Sequence, residues 1–207
     1  MIKIGLTGNR YSGKDTVANL FKKISIPVFD ADIILKFLIN HNFELTHKIS
    51  KRIDKSFFKK NGQDLDITKM NGPVLDEIID VVEPELIKAY DSYRIKNINS
   101  IYSIFHSSIL FERGWDKKMD YNISVFAPIN DRANRCKDIT NQKIIDIYTS
   151  FQGEMNELSK NTLSTYVIHN YDDINNTKAI GDLNRQVDKI DQKIIDKYLL
   201  SEQVKRF

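Results

Sequence analysis

The chain has 207 residues, 41% apolar and 29% charged, as expected for a globular protein with one substantial core. The formal charge is only +3 and the two signs are interspersed, so we expect neither nucleic acid nor a membrane as a partner. Cys136 is the only cysteine, which excludes an intrachain disulfide and suits a cytoplasmic location. No signal peptide and no membrane-spanning apolar stretch is predicted.

Strand and helix patterns alternate along the chain. Ile2–Thr7 is a β-branched apolar run that predicts a buried strand, and Thr16–Ile24 has the periodicity of an amphipathic helix. A short strand is predicted at 27–29 and a helix at 30–40, where the apolar residues Ile33, Ile34, Phe37 and Leu38 recur at helical spacing. Further along come mostly helical patterns at 43–100, strands at 101–105, 121–126 and 165–168, and helices at 129–137, 141–159 and 176–200.

This alternation predicts an α/β fold, a three-layer parallel sheet with helices on both faces. We expect residues 1–207 to form a single domain. The helical excess at 43–100 predicts an inserted helical subdomain.

A phosphate-binding loop is predicted between the first strand and the first helix. The segment from Gly8 to Lys14 matches G-x-x-x-x-G-K, which in this context wraps backbone N–H groups around phosphates at a helix N-terminus. The alternative is an ordinary glycine-rich turn. Lys14 would neutralise the β- and γ-phosphates of ATP. The predicted ATP-binding residues are Gly8, Asn9, Arg10, Tyr11, Ser12, Gly13, Lys14, Asp15 and Thr16.

Asp15 departs from the usual phosphate loop, in which a Ser or Thr hydroxyl after the lysine ligates Mg²⁺. A carboxylate is also a good Mg²⁺ ligand, so Asp15 is the candidate metal residue, although it adds negative charge beside the phosphates. Thr16 cannot replace the hydroxyl directly, because one step along a helix turns the side chain by about 100°.

Several blocks in this order resemble the dephospho-CoA kinase family, P-loop kinases that use ATP to phosphorylate the ribose 3′-hydroxyl of dephospho-CoA. The blocks are Gly5–Gly8 with Ser12–Lys14, Ile26–Asp32 with its Asp-Ala-Asp ending, Ile109–Glu112 with Gly114, Gln152, Val167–Ile168 with Asn170, and Arg185–Val187. The resemblance implies Mg²⁺ and small-molecule substrates, with 43–100 binding the acceptor and 129–152 forming a lid.

The resemblance also implies roles for single residues. Asp32 corresponds to the base that takes the proton of the acceptor hydroxyl, and Asp30 is either a supporting group or a helix N-cap. Arg132 corresponds to a catalytic lid arginine, and Arg135 is near a second one that binds ATP. Their i,i+3 spacing fits a solvated helix face equally well. Lys137 and Lys143 could add positive charge to the lid.

Some positions depart from the family. The family has Asp where this chain has His106, Pro where it has Ser108, His-Pro at Glu83-Pro84, and a frequent arginine near Tyr148. His106 could bind phosphate or act as an acid, or be structural. Three functions therefore remain open: phosphorylation of dephospho-CoA, phosphorylation of a deoxynucleoside monophosphate as in phage-type kinases, or nucleotide binding without turnover in a regulatory protein.

Overall fold

A five-stranded sheet organises the protein. The strands are β1 (Ile2–Thr7), β2 (Val28–Asp30), β3 (Tyr102–His106), β4 (Tyr121–Phe126) and β5 (Tyr166–His169), in the order β2-β3-β1-β4-β5. β1 pairs in parallel with β3 and β4, and β4 pairs in parallel with β5. The computed structural model describes residues 1–58, 65, 72–140, 142–143, 145–146, 150–151, 154–171 and 177–204.

Both faces of the sheet are covered. All five residues of β3 are buried, as are the last four of β1, although successive side chains point to opposite faces. Such fully buried strands require layers on both sides, and this confirms the α/β architecture expected from the alternating pattern. The core around the strands includes Phe21 and Leu183, and Trp115 packs edge-on against Phe105 at 5.5 Å, as core residues do.

The helices are α1 (Lys14–Lys23), α2 (Ala31–His41), α3 (Phe43–Ser50), α4 (Gly72–Lys96), α5 (Ile129–Thr140), α6 (Glu157–Leu163) and α7 (Thr177–Val204). The continuous helix expected over 141–159 is wrong at its end, because Glu154 and Met155 are not helical. Asn156 begins α6 as its N-cap, its side chain accepting a hydrogen bond from the Leu158 amide. No helix within the described part of the chain is long and apolar enough to cross a membrane.

The chain divides into two compact units, Met1–Phe29 with Asn97–Phe207, and Asp30–Lys96. In the second unit α2 packs against α3 and α4. The buried residues of α2 include Leu35 and Ile39, whereas Ile33 and Phe37, which marked the helix in the sequence, are 62% and 55% exposed. The apolar spacing therefore predicted the helix correctly but did not identify its buried face.

Candidate active site

The loop between β1 and α1 has the geometry of a phosphate-binding loop. A Cβ on Gly8 would lie 2.8 Å from the backbone oxygen of Val125, so only glycine allows this close approach. Gly13 has φ 92°, in the left-handed region, at the N-cap of α1. Tyr11 also has a positive φ, 62°, which is uncommon for a residue other than glycine. The loop therefore needs support from other elements.

Lys14, Asp15 and His106 meet at the start of α1. The Asp15 carboxylate accepts from Lys14 Nζ at 3.0 Å, and the same oxygen, Oδ1, lies 3.2 Å from His106 Nε2. The adjacent His106 side chain, reinforced by the charge of Lys14, holds the pKa of Asp15 well below its usual range. The carboxylate is therefore ionised at neutral pH.

Arg135 supports the loop from α5. Its guanidinium donates to the backbone oxygens of Tyr11 and Ser12 at 3.1 and 3.3 Å and to that of Asn170 at 2.9 Å. The Asn170 side chain donates to the same Ser12 oxygen at 2.8 Å. Arg135 is only 8% exposed, so the alternative of a solvated helix face is wrong for this residue. Arg135 and Asn170 thus fasten the loop at the residues beside Gly13.

Arg132 lies one helical turn earlier and is 2% exposed, so a solvated face is excluded for it as well. It donates to the backbone oxygen of Arg10 at 3.0 Å, to Glu154 Oε2 at 2.9 Å and to Glu157, and its guanidinium lies 4.5 Å from the ring centre of Phe151. Arg10 also pairs with Glu154, at 2.6 Å. Two carboxylates therefore balance Arg132 where it contacts the loop.

We expect Arg135→Ala to destabilise the protein by about 1–3 kcal/mol, because three backbone oxygens lose a buried donor. ATP affinity should fall too, because the strained conformation at Tyr11 loses support. Chemical denaturation and calorimetric ATP titration measure both effects. Asn134→Ala, at an exposed position of the same helix, is the matched control and should change neither quantity. Unchanged stability in Arg135→Ala would show that its contacts are dispensable.

A buried lysine lies next to the segment after β3. Lys160 in α6 has a side chain only 3% exposed and pairs with Glu112 Oε1 at 2.8 Å, whose own side chain is 27% exposed. Lys160 Nζ also donates to the backbone oxygen of Ser108 at 2.9 Å. The buried ammonium of Lys160 therefore needs its carboxylate partner, whereas water can solvate the Glu112 carboxylate.

This difference in exposure predicts unequal effects for the two halves of the pair. Glu112→Leu leaves a buried ammonium without its carboxylate and should cost about 3 kcal/mol of unfolding free energy, the low end for a broken buried pair. Lys160→Met leaves a carboxylate that water can solvate and should cost less. The double variant should be more stable than Glu112→Leu alone. Urea unfolding of the three variants tests the order, and equal losses in both single variants would contradict it.

The two aspartates after β2 belong to the second unit. Asp30 is the N-cap of α2, its side chain accepting from the Ile33 amide at 3.0 Å, which is the cap expected as one of two possibilities. Asp32 follows in the first turn of the helix and is partly buried. Of the lid predicted at 129–152, the structure describes α5 and a few later residues. Gln152 and Tyr148 lie outside the described residues.

Sequence reasoning did not anticipate the partners of the arginines or of Asp15. The position of His106 had a usable signal: it ends a strand parallel to β1, and parallel strands bring their carboxyl ends to one edge of the sheet. Glu154 and Glu157 carried no such signal, because nothing in their spacing relates them to a loop more than 140 residues earlier.

The site can accept Mg²⁺ with its nucleotide. Among the described residues no group of three or more His, Cys, Asp or Glu side chains is arranged to hold a metal alone. Mg²⁺ however is usually held by one or two carboxylates together with substrate phosphates and water. The Asp15 side chain is 74% exposed, and its described contacts involve only Oδ1, so Oδ2 remains available. The donor set therefore fits Mg²⁺ bound through phosphate.

A cavity of about 400 Å³ lies where β5 meets α7. His169 and Tyr171, whose rings stack at 5.3 Å, line one part of it, and Arg185 and Gln186 of α7 line another. Asn170, which binds the Ser12 oxygen, is also part of its wall. Asn170 thus connects the wall of the cavity with the predicted phosphate loop.

Comparison with known proteins agrees with this geometry. The dephospho-CoA kinase family model matches residues 2–176. The dephospho-CoA kinase of Buchnera aphidicola is 28% identical over 138 residues, 64% of this chain and 65% of that protein, so the chain spans slightly less than two thirds of that relative. The enzyme of the same name from Thermus thermophilus is 25% identical over 89% of this chain and 87% of its own length.

A solved structure extends the likeness to the fold. The crystal structure of TT1252 from Thermus thermophilus has a TM-score of 0.73 and 24% identity, covering 93% of this chain and 97% of that one. The fold is that of the P-loop kinases, as expected from the sequence. With the family model covering most of its length, this chain belongs to the dephospho-CoA kinase family.

Proposed function

We propose that the protein is an ATP-dependent kinase that phosphorylates the 3′-hydroxyl of dephospho-CoA to give coenzyme A. The observation that carries the proposal is the phosphate loop, in which Gly8 and Gly13 are required by their surroundings and Lys14 opens α1. The family match and the names of the relatives support the choice of acceptor. A cytoplasmic location, where ATP is plentiful, belongs to the same proposal.

The loop Gly8–Thr16 binds the triphosphate of ATP. Its backbone N–H groups and the N-terminal end of α1 attract the phosphates, and Lys14 supplies a point charge. Lys14 is held by Asp15 in this structure, so phosphate competes with that carboxylate for the ammonium. The nucleoside lies in the adjoining cavity beside Asn170.

Asp15 would hold Mg²⁺, since its carboxylate is exposed and its described contacts leave Oδ2 available. When bound, the ion neutralises phosphate charge and thereby favours phosphoryl transfer. The Asp15 carboxylate thus takes the place of the Ser or Thr hydroxyl that ligates the metal in the usual loop.

The arginines act from α5. Arg135 holds the loop in its binding conformation through the backbone of Tyr11 and Ser12. Arg132 stabilises the charge of the transferred phosphoryl group in the nucleotide-bound state. To do so its guanidinium exchanges Glu154 and Glu157 for phosphate, so its contribution depends on a change from the arrangement described here.

The acceptor is bound by the second unit, which contains all but the last four residues of the acceptor region expected at 43–100. Asp32 at the start of α2 takes the proton of the attacking hydroxyl, and Asp30 beside it caps the helix. The unit exposes Ile33 and Phe37 on the same helix, apolar surface that suits an acceptor with a pantetheine arm.

The proposal is tested with a coupled assay of ADP release over dephospho-CoA and the four deoxynucleoside monophosphates. We expect turnover with dephospho-CoA alone, and mass spectrometry should show one added phosphate on that product. Faster turnover with a monophosphate would make the protein a nucleotide kinase. ATP binding with no turnover on any of the five acceptors would instead favour a regulatory nucleotide-binding protein.

A further inference from the structure

The contact between His106 and Asp15 joins two residues of very different exposure. The side chain of His106 is 2% exposed and that of Asp15 is 74% exposed. Packing therefore holds the imidazole in place. The exposed carboxylate is restrained mainly by its contacts with Lys14 and His106. The buried imidazole can therefore serve as a fixed neighbour of the exposed carboxylate.

The position of His106 is set by the strands that also lead into the phosphate loop. In the β1–β3 register His106 lies opposite Leu6, and the Ser107 amide donates to the Leu6 oxygen at 2.9 Å. A donor at this site is thus fixed relative to the start of the loop. Nε2 is the ring nitrogen that faces Asp15, at 3.2 Å from Oδ1.

A carboxylate in a phosphate loop carries a negative charge that neighbouring groups must offset. An exposed aspartate beside ATP would repel the phosphates and could rotate away from the metal position. His106 Nε2 and Lys14 Nζ both lie close to Oδ1 of Asp15. Their proximity offsets the charge of the carboxylate and leaves Oδ2 for another partner.

We propose that Asp15 and His106 act as one metal-positioning pair, in which His106 holds Oδ1 so that Oδ2 is presented to the divalent cation that accompanies the nucleotide. His106 is then a positioning residue that never touches substrate. Compared with the family pattern described above, a carboxylate replaces the loop hydroxyl at Asp15, and a histidine replaces the carboxylate at the end of β3. The inference rests on the proposed binding of Mg·ATP at this loop.

The test uses Mn²⁺ as the metal probe and requires no turnover. Electron paramagnetic resonance measures free Mn²⁺ in the presence of protein and ATP, and calorimetry in EDTA measures ATP binding without metal. We expect His106→Leu to weaken Mn²⁺ binding to the protein–ATP complex by about 10- to 100-fold, as loss of a group that orients a ligand does. Metal-free ATP binding should be unchanged. His47→Leu, at an exposed histidine of α3, is the control.

A donor-retaining variant separates positioning from packing. The side-chain nitrogen of Gln reaches about as far as Nε2, whereas that of Asn is shorter. His106→Gln should therefore keep most of the Mn²⁺ affinity, and His106→Asn should lose it. This comparison also serves if His106→Leu fails to fold. Equal affinity in folded Gln and Asn variants would overturn the proposal.

A double-mutant cycle tests whether the two residues act together. Asp15→Ser alone should weaken Mn²⁺ binding, and adding His106→Leu to it should weaken binding no further. The same loss from His106→Leu in both backgrounds would overturn the inference while leaving ATP binding at the loop intact. Absence of ATP binding by the unaltered protein, with or without metal, would overturn the proposed function and this inference together.

Discussion

Lys14→Ala is expected to lower turnover by about 10²–10³-fold, the loss typical when one preorganised donor to a developing charge is removed. The Lys14 side chain is 12% exposed and faces the Asp15 carboxylate, so its ammonium serves the loop and contributes little to the core. The fold should therefore persist, with a melting temperature close to that of the unaltered protein. ATP affinity should fall as well, because the ammonium binds the phosphates. Steady-state kinetics on dephospho-CoA measures the loss of turnover, and calorimetric ATP titration measures the loss of affinity.

The matched control for this variant is Lys23→Ala, at the exposed last residue of the same helix. It removes the same charge from α1 but at the end far from the phosphate loop, so rate and affinity should not change. If folded Lys14→Ala kept both its ATP affinity and its rate, the loop would not be the phosphate site and the proposed function would lose its main support.

The strands were the most predictable part of the fold. Ile2–Thr7 and 121–126 match the observed β1 and β4 residue for residue, because both segments are rich in the β-branched and aromatic residues that favour strands. The phosphate loop was equally predictable, since its glycines are fixed by local backbone geometry. The strands and the loop both depend on residues that are close together in the sequence, so local sequence patterns are enough to predict them.

The features that failed depend on distant partners. In α2 the spacing of Ile33 and Phe37 indicated a helix, but the helices packed against it bury Leu35 and Ile39 instead. The sequence also allowed an exposed position for Arg132. Its burial depends on distant partners, among them the backbone oxygen of Arg10, 122 residues away in the chain. Periodicity gives the type of an element, whereas its buried face is chosen by what packs against it.

The contact of Asp15 with His106 shows the same limit within the site. Each residue alone looked like a defect in the family pattern, one a misplaced charge and the other a missing carboxylate. The parallel register of β1 and β3 places them 3.2 Å apart and makes them partners. Two departures that lie 91 positions apart in the sequence therefore had to be interpreted together, and only the fold shows that they meet.

Asp32→Asn is expected to lower the maximal rate by about 10²–10⁴-fold, the usual contribution of general base assistance. The amide is nearly the same size as the carboxylate, and asparagine is accepted in the first turn of a helix, so the fold should be preserved. What is lost is the negative charge and the capacity to take the proton of the acceptor hydroxyl. ATP affinity should change little, because we assign Asp32 to the acceptor.

Two neighbouring substitutions make the result specific to Asp32. Asp30→Asn keeps an N-cap of equal quality and should leave both stability and rate unchanged if Asp30 only caps α2. Asp76→Asn, on the exposed side of α4 in the same unit, controls for the lost charge. Near-full turnover of Asp32→Asn on dephospho-CoA would show that another group takes the proton. A loss confined to ATP or Mg²⁺ affinity would instead assign Asp32 to the metal site, and rate and affinity measured on one preparation distinguish these results.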